Sequence, residues 1–417
     1  MTGAYEGIRI LDFTQLEQGP CGTQVLADFG AEVIKVERID LGEIGRRQFP
    51  TVADGYSPHW SATNRNKKSL SVDLKSKRGI ALIMELAKGA DIVASNFRPG
   101  VMDRLGLGWD ALSTVNPRII VAYASGYGQS GPYTHRRGQD LAAQAIGGLM
   151  ALTGSAEGGA TPAGTFIADY MASLHFAQGM MIALAARERT GRGQVVDTCL
   201  LNAAVVSHLQ EGTTYLNTGQ SYPRPPAGIA HAHNTALYGQ YRTADGRWIA
   251  LIGEFYVTEP WKRVARALGL PDEVRDDPRF QDNEGLLAHL IETRDLVAAG
   301  VERLTFVDAL ARFEAEDVLV APVNEYPEVF SDPQVLHNEL VIRAEVPHVG
   351  TMAFVGNPIR LSETPGELRT TPPTVGQHNE EILAAIGYSE QAIIDLQATG
   401  VVGSENTRLR AGGPAAW

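Results

Sequence analysis

"GIRILDFTQLEQGPCGTQVLADFGAEVIKVER", residues 7–38, decides the fold. Its apolar opening, "IRILDF" (8–13), reads as a buried strand, "GPCGTQVLADFG" (19–30) as a helix ending at Gly30, and "AEVIKVE" (31–37) as the next strand. The pattern continues outward: "RGIALIMELAKGA" is an amphipathic helix, "DIVASNF" (91–97) a third strand and "RIIVAYASG" (118–126) a fourth. Strands alternating with helices at this spacing imply an α/β fold with a parallel sheet covered on both faces. Ligands of such sheets bind beyond the carboxyl ends of the strands. That directs attention to residues 14–20, 38–46, 96–104 and 126–140.

The rest of the chain is organised around this sheet. Residues 139–217 read as mostly helical, with "GQVVDTCL" as a strand or extended break. The proline-rich "SYPRPPAG" (221–228) marks a boundary. After it, "TALYGQYRTADGRWIALIG" reads as two strands turning at Asp245–Gly246, followed by helical patterns to about residue 317. From "APVNEY" (321–326) the chain shifts to strands near "LVIRAEVPHVGTMAFVG", then a Pro/Thr-rich linker, "TPGELRTTPPTVGQ" (364–377), and two short helices. The tail with "AGGPAAW" is expected to fray. The expected division is 1–220 as the first part of a large domain, 221–325 as a small α+β domain, and 326–417 as a return segment packing on the large domain.

With 417 residues, 44% of them hydrophobic, the chain can bury a large core. A net charge of −12 argues against general affinity for nucleic acid, which needs a basic surface to displace counterions. Two cysteines, Cys21 and Cys199, support neither a disulfide framework nor a zinc site, so a cytoplasmic protein without metal is expected. The opening "MTGAYEGIRILDFTQ" lacks the basic start and apolar core of a secretion signal, and the apolar run from Met171 to Ala186 is too short to span a bilayer.

Chemistry-bearing residues gather where the sheet points. Arg38, Arg65, Lys67, Lys68, Arg98, Arg104, Arg136 and Arg137 follow successive strands. Each alone reads as a solvated loop residue; together, in an acidic chain, they point to a polyphosphate ligand. His231 and His233 sit two apart with no metal partner at ligand spacing. In "TPAGTFIADYMASLHFAQGMMIALAAR" (161–187) one acidic side chain, Asp169, stands at the entrance of an apolar helix. Spacing alone favours a helix cap. A carboxylate at that end is also held anionic by the helix dipole while being stripped of water, which would make it a nucleophile.

The opening stretch, together with "NRNKKSLSVDLKSKRG", "NFRPGVMDRLGLG", "YGQSGPY", "GQDLAAQAIGGLMALTG", "ALAARERTGRGQVVDTCLLNA", "PQVLHNELV" and "GQHNEEIL", resembles the class III CoA-transferase family nearly end to end. That family includes formyl-CoA:oxalate and carnitine CoA-transferases and the related α-methylacyl-CoA racemases. The resemblance implies a Rossmann-like large domain, a small domain, and two ring-like subunits threaded into an interlocked homodimer. It implies no tightly bound cofactor: coenzyme A, as acyl-CoA, and a carboxylic acid are the substrates. Asp169 takes the position of the family's nucleophile, which forms an acyl–aspartyl anhydride and then an enzyme–CoA thioester. CoA contacts carry over to Glu17, Gln18, Arg38, Val72, Lys75, Asn96, Phe97, Arg98, Arg104, Arg137 and Asp140.

Two departures bear on specificity. The oxalate enzymes carry a run of four glycines where this chain has "AGIAHAHNTALYG", and often a glutamine where it has Glu17, which points to another acceptor. The racemases use a histidine in a "G-H-D" context, whereas this chain has Gln139, and glutamine accepts no proton at neutral pH. Transfer is therefore favoured over racemisation, the first rival, and over a CoA-binding protein without turnover, the second.

Overall fold

The computed structural model describes residues 3–48, 50–52, 56–253 and 258–405; the tail expected to fray lies outside them. The chain forms two compact units, one of Met1–Gly147, Thr165–Ser207 and Asp332–Trp417, the other of Gly148–Gly164 and His208–Ser331.

The first unit is built on β1 (Arg9–Asp12), β2 (Glu32–Glu37), β3 (Lys67–Ser71), β4 (Ile92–Ser95), β5 (Ile120–Ser125) and β6 (Val195–Cys199). They pair in the order β3-β2-β1-β4-β5-β6, every neighbour parallel. Connecting them are α1 (Gln18–Asp28), α2 (Pro58–Ala62), α3 (Lys77–Lys88), α4 (Val101–Arg104), α5 (Trp109–Val115), α6 (Asp140–Ile146), α8 (Ile167–Thr190) and α9 (Leu200–Val206); α7 (Leu149–Leu152) lies in the second unit.

The period-two geometry of a strand explains the two-sided core. Leu11, Ile34, Val93 and Val121 point to one face, packing with Leu82, Ile83 and Leu86 of α3. Their neighbours Ile10, Val33, Ile92 and Ile120 point to the other, packing with Leu26 of α1 and Phe176 and Met180 of α8. Both faces are buried, so these strands read as near-continuous apolar runs.

β3 is a correction. The sequence reading left "NRNKKS" as a basic loop, yet it leads into the edge strand, and the lysine pair opens that strand. Lys67 points inward and is fully buried. Its ammonium donates to Asp12 Oδ2 (3.0 Å), Thr23 Oγ1 (2.9 Å), Asn64 Oδ1 (3.1 Å) and the Pro20 carbonyl (3.0 Å). Arg65 is likewise buried against the Asp28 carboxylate at 2.7 Å, and Lys68 bridges Glu32 and Glu381. These three cations hold the fold rather than a polyphosphate.

The end of the chain closes this unit. β10 (Val341–Val346) and β11 (Gly350–Val355) fall where strands were expected, and they pair as an antiparallel hairpin. A strap then runs along the sheet edge. The Asn66 side chain donates to the Glu367 carbonyl and accepts from the Arg369 and Thr370 amides, while Arg46 reaches the Pro373 carbonyl. Helices Asn379–Ala385 and Glu390–Ala398 add Ile382, Leu383, Ile393 and Leu396 to the core beside α3.

The second unit contains α10 (Leu209–Thr218) and an antiparallel sheet, β7 (Tyr238–Arg242), β8 (Trp248–Ile252) and β9 (Leu319–Pro322). The turn falls at Asp245–Gly246, where Gly246 takes φ +83°, a conformation that glycine adopts without strain. Trp261, Phe280 and Phe313 centre its own core.

Candidate active site

The parallel register sets the carboxyl ends of β1 to β5 along one edge, and the segments that follow them begin there. After β1 the chain makes a tight, heavily bonded turn. Asp12 accepts from the Thr14 amide (2.9 Å), and the Asn96 amide group both accepts from Gln15 N and donates to Gln15 O, each at 2.8 Å. Glu43 then accepts from Leu16 N at 3.0 Å. Leu16 has φ +63°, a left-handed conformation costly for a branched side chain, and these bonds hold it there. The turn delivers Glu17 and Gln18 to the head of α1, where the Gln18 amide donates to Ser125 O at 3.3 Å across the strand ends.

α1 lies close against α8. A side chain at Gly22 would come within 2.9 Å of Ser173 O and of the Phe176 ring, so only glycine permits this approach. The first turn of α8 carries Asp169, the third residue of the helix. The cap reading of Asp169 is corrected here. The residue at the cap position is Phe166, and the free backbone N–H groups are satisfied from another helix: Asp140 Oδ1 accepts from Ala168 N at 2.7 Å and Asp169 N at 3.1 Å. Asp140 is buried at the start of α6 and also accepts from Gln144 at 2.5 Å. Because Asp140 serves the backbone, the Asp169 carboxylate is released from that duty.

Its environment differs from the expected one in a second respect. Burial, then the negative charges of Glu17 and Asp140, raise Asp169 to about 7; His59 opposes the rise. The helix dipole is worth roughly 0.3–1 kcal/mol and does not outweigh them. Asp169 is therefore an unusually basic carboxylate. Glu17 contacts His59, with Nε2 to Oε2 at 3.4 Å, and His59 is raised by that hydrogen bond despite burial. Cys21, on α1 beside these groups, is pushed up to about 12 by burial and by Glu17, with Asp169 adding to it, so the thiol is unreactive at neutral pH.

The remaining candidates fall into three groups. Arg38, Val72 and Lys75 follow β2 and β3; Arg38 is exposed and pairs with Asp40 at 2.9 Å, Val72 is buried, and Lys75 is exposed. Asn96 is the clamp on Gln15, and Phe97 packs against the core beneath it. Arg98, Arg104 and Arg137 are exposed and enter none of the ion pairs found among the described residues, which leaves them open to an anion. Gln139 is exposed and offers no base. His231 and His233 lie in the second unit, His231 bonded to Glu211 at 3.0 Å, and no cluster able to hold a metal occurs among the described residues. The sequence reading missed His59. It lies on a short helix beyond the 38–46 window and carries no local signature.

A sequence profile of CoA-transferase family III matches residues 5–379. The chain is 33% identical to the succinyl-CoA–L-malate CoA-transferase beta subunit of Chloroflexus aurantiacus, over 95% of this chain and 97% of that one. It is 34% identical to the succinyl-CoA:glutarate CoA-transferase of Mus musculus, over 97% and 91% respectively. Among solved structures, a CaiB/BaiF family protein from Brucella suis superposes with a TM-score of 0.83 at 29% identity, covering 93% of this chain and all of that one.

Proposed function

The chain belongs to CoA-transferase family III and is a CoA-transferase, and from that premise we propose that Asp169 is the covalent nucleophile. The observation that carries this reading is a half-buried carboxylate at a helix start whose capping duty is done by Asp140. One Asp169 oxygen attacks the donor thioester carbonyl, giving a mixed anhydride and expelling CoA as thiolate. The thiolate attacks the aspartyl carbonyl, releases the donor acid and forms an enzyme–CoA thioester. The acceptor carboxylate rebuilds an anhydride, and the thiolate carries CoA to the acceptor. Anhydrides hydrolyse readily, so the apolar surroundings that raise Asp169 also protect the intermediate.

CoA itself lies, in this reading, along the strand ends. Arg38, Lys75, Arg98, Arg104 and Arg137 face its phosphates, while Glu17, Gln18, Val72, Asn96 and Phe97 border the adenosine and pantetheine; guanidinium groups suit phosphate geometrically. Asp140 contributes by holding α8 rather than by touching CoA. Succinyl-CoA is the donor and a dicarboxylic acid such as malate or glutarate the acceptor, the class named for both enzyme relatives. The working form is an interlocked homodimer in the cytoplasm.

Mass spectrometry of protein incubated with succinyl-CoA should find CoA on the peptide containing Asp169, and hydroxylamine should convert it to a hydroxamate. Asp169→Asn should lose both adduct and exchange, by at least roughly 10³-fold. Wild-type exchange rates in that variant would end the proposal.

A further inference from the structure

We propose that His59, oriented by Glu17, is the proton carrier for the CoA thiol during transfer. This rests on the assignment of Asp169 as nucleophile. The reaction moves negative charge among carboxylates: Glu17 and Asp140 act on Asp169, and in each half-reaction the charge of Asp169 passes to a thiolate and then to the released carboxylate. Among the groups that act on Asp169, His59 alone pulls its titration downward.

The ring is held for this work. His59 is the second residue of α2, whose Ser57 cap accepts from Trp60 N at 3.3 Å. Trp60 lies under the Arg46 guanidinium at 3.6 Å, and Arg46 is gripped by both Glu37 oxygens at 2.7 Å. Gln24 of α1 donates to Ala62 O at 2.9 Å, which ties α2 to the helix that Glu17 begins. One ring nitrogen, Nε2, faces Glu17; the other, Nδ1, is buried without a partner. A histidine with one nitrogen oriented by a carboxylate and the other unused is the arrangement of a general acid–base.

The charges facing the ring favour its protonated form. Glu17 lies at the head of α1, Asp169 on α8, and Glu43 before the 3-10 turn Ile44–Arg47 that packs on α2; all three raise it. Of the two arginines on that turn, Arg46 is neutralised by Glu37, and β11, which also packs on α2, carries no charged residue.

The balance is as follows. Asp169 forms a C–O bond to the thioester carbonyl, the C–S bond breaks, and its electron pair leaves on sulfur. Protonated His59 passes a proton to that sulfur, leaving CoA as thiol and His59 neutral. When sulfur attacks the aspartyl carbonyl, neutral His59 takes the proton back and the donor acid departs as carboxylate. A thiol titrating near 8.5 and a histidine raised from 6.5 are close enough to exchange a proton rapidly in both directions.

The test is the pH profile of succinyl-CoA exchange with glutarate or malate. The unsubstituted protein should give a bell, its acid limb set by Asp169 and its alkaline limb by His59. His59→Gln should lower kcat by roughly 10²–10⁴-fold, leave KM for succinyl-CoA within a few-fold, and erase the alkaline limb. A variant that keeps the limb, or keeps kcat within threefold, overturns the proposal. Should His59→Gln fail to fold, Glu17→Gln decides: both limbs should move to lower pH together, and an unmoved alkaline limb overturns it. The Asp169 adduct is assayed alongside. Its absence from the unsubstituted protein sinks the nucleophile assignment; its presence with an unaltered alkaline limb sinks the role of His59 alone.

Discussion

At Asp169 the loss of water and two neighbouring carboxylates act against the helix dipole and a histidine, and the first pair prevails, which raises the group to about 7. The nucleophile must be ionised, so kcat/KM for acyl-CoA should fall below pH 7, measured by initial rates across pH 5 to 9. Asp140→Asn keeps an oxygen for the Ala168 and Asp169 amides but removes one charge. It should move the acid limb to lower pH while costing about 1 kcal/mol of stability in urea titration. Stability carries the opposite sign. A carboxyl raised in the fold penalises folding at every pH above its folded value, and the penalty fades as pH drops from about 7 toward the ordinary 3.8. Asp169→Asn should therefore be more stable than the parent at pH 8, by about 1–3 kcal/mol, and the difference should vanish near pH 4. An equal stability at both pH values would show that the carboxylate is well hydrated after all.

At the scale of elements, the contact of α1 with α8 sets Glu17, and through it His59, beside Asp169, and at Gly22 there is no room for a side chain. Gly22→Val should destabilise by about 1–3 kcal/mol through overpacking, and should lower exchange more than that loss explains, because it pushes the two carboxylates apart. Equilibrium unfolding and kcat on the folded fraction separate the two effects. Elements whose apolar residues follow one another were plain in the sequence: β1, β2, β4 and β5 announced themselves as runs and the hairpin near 245 by its turn, while near 348 strands were legible but their pairing was not. β3 gave no such sign. Its lysines looked solvated because the carboxylate that neutralises Lys67 is Asp12, 55 residues away. Asp140 capping α8 across 28 residues, and His59 meeting Glu17 across 42, were hidden for the same reason. Position and charge type of Asp169 could be read from local pattern; the partners that give it its character could not. Lys67→Met, which removes the ion-pair partner of buried Asp12 and leaves it only the field of Lys35, should cost about 3–5 kcal/mol in denaturant unfolding.

Over the whole molecule, α8 leaves Tyr170 (45%), Leu174 (39%) and Ile182 (68%) exposed. An apolar surface of this kind is what a subunit interface covers, and light scattering after size exclusion should give twice the 44.9 kDa of the chain. A monomer at micromolar concentration would remove the homodimer from the proposal. The strap along β3 reaches further still. Ile382, Leu383, Ile393 and Leu396 complete a core whose sheet was made up by residue 199, with most of the second unit, His208–Ser331, translated in between. A nascent chain emerging from the ribosome therefore carries an unfinished hydrophobic face for nearly two hundred residues, a span in which aggregation competes with folding. Synthesis of this protein should lean on chaperones that shield such faces, and any stop codon before the last helix would leave a product fit only for proteolysis.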